Sequence, residues 1–261
     1  MKYGLALLLF LSTICSAQKW DAEVMVGITG YNGDLTQKLF STHTFGPAGG
    51  FNIKYNLNYL VSLRAGFLYG SVQGSDRYNT QADLKKRNLN FFTNITEGNL
   101  CLEINLLEPQ YFWAYPYLFG GVGVYHFNPY TYDKTAHRVY LQPLGTEGQG
   151  LPAYPDRKPY ALTQVCIPFG GGFKMNLSKD FDLVYELSGR YLFTDYLDDV
   201  STTYVNAQAL MANNRPEAAV MYSRRNDNSI PVEGEIRGNP RVKDWYYFTG
   251  LKLLLHLGRQ K

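Results

Sequence analysis

The stretch Phe181–Val200, FDLVYELSGRYLFTDYLDDV, decides how the chain is read. Phe181, Leu183, Tyr185, Leu187, Tyr191 and Phe193 recur at every second position, broken only by Gly189, and Asp182, Glu186, Ser188 and Arg190 fall between them. A period of two describes a strand with two unlike faces. In a soluble sheet the apolar face packs on a core and the polar face meets water. Here the apolar face is rich in rings, and the other carries opposite charges a few residues apart. That pairing suits a transmembrane strand, apolar toward lipid and polar toward a barrel interior. The run is long enough, since a tilted spanning strand needs about 9–11 residues. It then breaks into a loop holding Asp195, Asp198 and Asp199.

Composition agrees. The chain has 261 residues, a length consistent with one domain. Beyond the N-terminus no apolar run approaches the 18 residues of a spanning helix, which excludes a helical membrane protein. Residues 1–17 read as a signal peptide: Lys2 supplies the charge, Leu5–Leu11 the apolar segment, and Cys15-Ser16-Ala17 the small residues before cleavage. A single domain over 18–261 follows. Cys15 as a lipoprotein cysteine fits poorly with the preceding Ser12, Thr13 and Ile14. Without Lys2 the chain keeps 24 of its 25 basic residues against 22 acidic ones, a near-balance that argues against a nucleic-acid partner. Cys101 and Cys166 lie in different expected strands. An export compartment would let them bridge, and two unpaired small side chains inside a barrel fit as well.

The remaining chain repeats the alternation. Strands are expected at Trp20–Thr29, Gly46–Leu57, from about Leu60 to Gly70, Asn88–Asn105, Trp113–His126, Ala161–Leu177 and Trp245–Leu257, which with the stretch at 181 makes eight. Glu97 and Asn94 blur the first half of the fourth, so that half should rise clear of the membrane. Pro116 cannot donate to a ladder, so a bulge or break is expected there. Residues 71–87 and 127–160 read as polar exposed connections, and Asn206–Met211 could form a short helix. Links after the second, fourth and sixth strands are short, and the other four are long. Outer-membrane barrels alternate in this way, with short periplasmic turns and long external loops. The expected fold is therefore all-β, an eight-stranded antiparallel transmembrane barrel.

Lys54, Arg64, Glu103, Lys174, Glu186, Arg190 and Lys252 fall on the inward faces. Eight strands leave an interior just filled by side chains, so these charges should pair as a plug rather than line a pore. Asp195, Asp198 and Asp199 could bind calcium or act as acid/base carboxylates, but no glycine-punctuated calcium loop surrounds them, and a loop held by Asx turns is the simpler reading. The four histidines show no metal spacing, and nucleophile elbows, phosphate loops and CxxC pairs are absent from the sequence. Neither a cofactor nor a catalytic residue is expected.

Three words of the sequence are specific. Tyr191–Thr202, YLFTDYLDDVST, resembles the hallmark segment of the PorG-like outer-membrane barrels of Bacteroidota, as does Arg237-Gly238-Asn239-Pro240 followed by Asp244-Trp245-Tyr246. Tyr31-Asn32-Gly33-Asp34-Leu35 is similar to that family's turn after its first strand. The resemblance covers essentially the whole chain after the signal peptide and singles out Asp195, Tyr196, Asp198, Asp199, Arg237, Asn239, Pro240 and Trp245. It implies an integral outer-membrane component of the type IX secretion system, both termini periplasmic, associated with the periplasmic ring built by PorK and PorN and with other secretion subunits. It brings no catalytic residues. The alternative is a stand-alone structural or surface-binding barrel that acts through loops 127–160 and 194–243.

Overall fold

The computed structural model describes residues 20–36, 38, 40–213 and 216–257; the expected signal peptide and the tail from Gly258 lie outside them. Ten strands form one sheet: β1 (Trp20–Asn32), β2 (Gly46–Asn56), β3 (Val61–Ser75), β4 (Asn90–Asn105), β5 (Ala114–His126), β6 (Tyr130–Tyr132), β7 (Arg138–Tyr140), β8 (Thr163–Asn176), β9 (Phe181–Leu192) and β10 (Trp245–Leu257). Eight of them close on themselves in the order β3-β2-β1-β10-β9-β8-β5-β4, with β4 returning to β3, every pairing antiparallel. The fold is an eight-stranded closed barrel of the outer-membrane type. The short β6–β7 hairpin joins its ladder at Phe92 of β4, opposite Tyr130.

Alternation determines which way each side chain points. Val24, Val26, Phe51, Leu63, Phe67, Leu100, Leu118, Phe173, Leu187 and Leu253 stand outward and are exposed, whereas their in-between neighbours are buried inside. An apolar girdle of this extent is a surface that lipid, not water, covers. Connections 57–60, 106–113 and 177–180 are short, and Trp20 pairs with Leu257, so these turns and the outer ends of β1 and β10 share one rim. The four long connections emerge at the other.

Three expectations need correcting. Register between β5 and β8 runs straight through Pro116, which pairs with Phe173. Pro116 faces the end of β4, where its carbonyl accepts from the Leu106 amide, so its missing N–H falls where that ladder finishes. Pairing lapses instead between Gly120 and Gly123, opposite Pro168. The connection after β3 is not merely exposed: β3 and β4 extend together to Ser75↔Asn90, past their other neighbours, and then enclose the helix α1 (Ala82–Arg87), whose Arg87 is buried. Segment 127–160 likewise contributes buried Tyr130, Leu141, Glu147, Leu151 and Tyr160.

The long loops fold into a cap. Tyr31, Leu35, Phe91, Phe127, Leu141, Leu197, Val200 and Tyr246 share one core that runs from the barrel interior into the loops. A second core, Leu151, Tyr204, Val205, Leu210, Ala218 and Tyr222, is made by loop residues alone. The helix expected at 206–211 is present as α2 (Ala207–Ala212), capped by the Asn206 side chain accepting from the Gln208 amide at 2.8 Å, and is followed by α3 (Pro216–Met221).

Candidate functional site: a sealed lumen under a buried motif hub

Inside the girdle, acids and bases interlock. Glu103 of β4 receives Lys54 and Lys174, each at 2.5 Å, and Arg64 at 3.3 Å. Arg64 reaches on to Glu186 at 2.8 Å and lies 3.8 Å over the Phe119 ring. Glu186 also takes a hydrogen bond from Tyr117 at 2.8 Å and pairs with Lys252. Lys252 and Lys54 both approach Glu23 at 3.5 Å, which closes the circuit across β1, β2, β3, β4, β8, β9 and β10. Of the residues singled out in the lumen, Lys54, Arg64, Glu103, Lys174, Glu186 and Lys252 thus share one network. Arg190 stands apart, paired with Glu97 at 2.8 Å beneath the Tyr246 hydroxyl. Toward the short-turn rim, His256 bridges Asp21 at 2.9 Å and Asp182 at 3.2 Å.

The sequence reading did not place Glu23 and Glu97 among these pairs, although the alternation carried the signal. Glu23 shares the inward face of β1 with Asp21 and Met25, and Glu97 lies in step with Asn99, Cys101 and Glu103. Apart from the partly exposed His256, these charges are withdrawn from solvent. Burying an ion costs several kcal/mol unless it is paired and hydrogen-bonded, so the pairing is a condition of the barrel's existence. Cys101 and Cys166 are both free thiols, buried beside Gly121 and Gly123 of β5, where an added Cβ would come within 2.9 Å of either sulfur.

Above the lumen the three specific words of the sequence meet. Asp34 accepts from the Asn239 amide at 3.0 Å, and Asp244 accepts from the Leu197 amide at 2.9 Å. The Tyr31 hydroxyl donates to Asp198. Arg237 is 2% exposed: it donates to Glu147 at 2.8 Å, lies 3.5 Å from the Asp199 carboxylate, and also donates to the Asp199 carbonyl. Glu147, unremarked in the sequence, accepts as well from the Ser201 and Thr202 amides at 2.9 and 3.0 Å. Arg87 grips Asp76 through two bonds of 2.7 Å and donates to the Asp34 carbonyl at 2.9 Å, tying the second loop to the first.

Space here is tight. A Cβ on Gly33 would meet Asp244 Oδ1 at 1.9 Å, and one on Gly238 would meet the Ser201 nitrogen at 2.6 Å. Asp199 takes the left-handed conformation (φ 64°), which aspartate tolerates better than most residues.

The three aspartates of the hallmark segment are therefore buried, not displayed on a solvated loop. Asp198 caps the Val200 amide at 2.9 Å, an Asx contact of the expected kind. Burial pushes the Asp195 carboxyl up to about 7, opposed by Ser201. It pushes Asp199 up to about 6 against the pull of Arg237, Thr146 and Tyr160. Asp198 and Asp244 are driven well above the usual carboxylate range, first by burial and then by neighbouring aspartates. Tyr196 is half-buried and stacks on Tyr160 at 4.7 Å, whereas Trp245 faces outward and donates to Asn32 at 2.7 Å. Asn239 and Pro240 lie exposed at the hub's edge. Among the described residues no group of three or more His, Cys, Asp or Glu is arranged to hold a metal. What the arrangement does chemically is fasten four loops to one another.

The family model described as a domain of unknown function (DUF6089) matches residues 2–219. No curated protein matches the chain. Among solved structures it is similar to Neisserial surface protein A, at 9% identity over 91% of this chain and 97% of that one, TM-score 0.44. A major outer membrane protein of Thermus thermophilus aligns at 13% identity over 92% and 99%, TM-score 0.41. Outer membrane protein W of E. coli aligns at 8% identity over 94% and 100%, TM-score 0.36.

Proposed function

The chain belongs to the DUF6089 family, and from that premise we propose that it is an integral outer-membrane barrel which neither conducts nor catalyses, and which serves as an anchoring subunit of the type IX secretion machinery. The observation that carries the first part is the pairing of lumen charges beneath a cap with cores of its own. A barrel filled in this way offers surfaces: the girdle to lipid, the cap outward, and the short turns inward with both termini periplasmic. The secretion role rests on the resemblance of the YLFTDYLDDVST, RGNP and YNGDL words, which occupy one hub. That hub lies at the long-loop rim, so ring contact is left to 57–60, 106–113, 177–180 and the termini. A stable interface buries roughly 1,200–2,000 Å² in total, so contact through these turns is weak or shared among subunits. Crosslinking with mass spectrometry on intact cells tests this: crosslinks from Lys179 to ring subunits are expected, and recovery of the barrel alone refutes it.

One observation favours the stand-alone surface-binding reading. Ile230, Val232 and Ile236 of the cap are each about three-quarters exposed, an apolar display that a solvated face does not need. Deleting 228–236 separates the two: loss of surface binding with secretion intact supports the second reading, and loss of secretion supports the first.

A further inference from the structure

Gly189 interrupts the outward row of β9, and the gap is not idle. Next to it a hollow of about 420 Å³ is bounded by Phe169, Arg190, Tyr191 and Trp245 and roofed by Arg241, Lys243 and Asp244. Trp245 pairs in register with Tyr191, and Gly189 pairs with Phe169, so the rings come from three adjacent strands. A Cβ on Gly189 would meet the Phe169 ring at 2.9 Å, so the glycine lets that ring lie against β9 at the hollow's edge.

The roof is cationic. Among the described residues no carboxylate lies within 4.0 Å of the Arg241 guanidinium or the Lys243 ammonium. Lys243 donates to the Pro240 carbonyl at 3.2 Å, and the Arg241 backbone amide donates to the Asn239 side chain at 3.3 Å. Asp244 is turned to the Leu197 amide, and Asp195, whose carboxyl Lys243 pulls downward, is nonetheless pushed up to about 7 by burial. Two exposed cations thus stand over three rings where the apolar girdle meets the cap.

We propose that this hollow binds a phosphate-bearing lipid of the surrounding leaflet. Arg241 and Lys243 hold the phosphate oxygens, and Phe169, Tyr191 and Trp245 pack on the first acyl segment. Aromatic and basic side chains at one depth suit the headgroup level of a bilayer. The volume admits a headgroup, and the exposed rings of Phe169 and Tyr191 that bound the hollow belong to the apolar outer face. This inference rests on the outer-membrane reading proposed above.

The test titrates the full barrel, in micelles, with lipid A carrying its phosphates and with dephosphorylated lipid A, and reads bound lipid by native mass spectrometry. Retention of the phosphorylated form alone is expected. The R241A/K243A double variant, both positions exposed, should weaken it about twenty-five-fold, the product of a roughly fivefold contribution from each surface cation. W245A should also weaken retention of the phosphorylated form, because it removes a ring that packs on the acyl segment. Equal retention of the two lipids by the wild type, unchanged affinity in the double variant, or full displacement by millimolar inorganic phosphate would overturn the proposal. Failure of the barrel to insert into liposomes would instead refute the outer-membrane reading, so the two failures are distinguishable.

Discussion

Replacing Arg237 with leucine removes the one guanidinium that faces both Glu147 and Asp199 inside the cap. Leucine restores much of the volume but leaves two buried carboxylates without their cation. Breaking a buried pair by removing one partner costs about 3–5 kcal/mol. On the free energy of opening the cap, that is a rise of roughly two to three and a half orders of magnitude in the open population. Proteolysis under native conditions reads that population when closing is faster than cleavage. The barrel beneath has its own ion-pair network, so its heat-dependent mobility on gels should hardly change.

A pH signature accompanies the loss. Asp199 already sits at about 6 in the folded cap, above its ordinary 3.8. A raised carboxyl stabilises the folded state fully below its unfolded value and loses that contribution as pH rises through the folded one. Without Arg237 the carboxyl moves higher still and takes a proton more readily, so the deficit of the variant should be smaller at pH 5 than at pH 8. An increase in cap cleavage below tenfold, or an equal increase at both pH values, would refute the reasoning.

Other consequences can be measured on the same preparations. In the wild type, Asp195 near 7 and Asp199 near 6 make the cap tighter in mild acid, so proteolytic opening should rise as pH goes from 5 to 8. Gly33→Ala should loosen the cap because its Cβ meets Asp244 and Tyr31, whereas Gly98→Ala, with nothing within 4 Å, should leave cleavage unchanged. Glu103→Gln removes the carboxylate shared by Lys54, Lys174 and Arg64 and leaves Lys174 with no paired acid among the described residues, and the urea midpoint of the barrel should fall by the equivalent of about 3–5 kcal/mol. The exposed Lys86–Asp227 pair is the contrast: Lys86→Ala should leave cap cleavage nearly unchanged. In planar bilayers the intact barrel should pass no steady current, and a stable open level would show that the lumen is not sealed.

The barrel was legible because a two-residue period leaves its mark on every strand. Trp245–Leu257 has the bounds that alternation gives it, and Arg64, Glu103 and Glu186 face inward as their parity requires. The cap was not legible. Its contacts join residues far apart in the chain, such as Asp34 with Asn239, and no local pattern announces that Glu147 will accept from Arg237. Polar loop composition suggested solvent, yet Asp198, Asp199 and Arg237 are buried because they satisfy one another. Pro116 misled for a related reason: its missing donor matters only where a neighbour needs it, and that depends on where β4 ends.

The seam between β1 and β10 joins the two ends of the barrel through thirteen consecutive partners, from Trp20↔Leu257 to Asn32↔Trp245. Immediately beyond its upper end sit Gly33 and Asp34 on one side and Asp244 on the other, the parts that fasten the hub. A slip of one residue would turn Lys252 and Tyr246 toward lipid and carry Asp244 away from Gly33. The chain therefore inspects its own closure: the first turn made waits for the last strand synthesised, and the lid shuts only over a cylinder zipped in the right alignment.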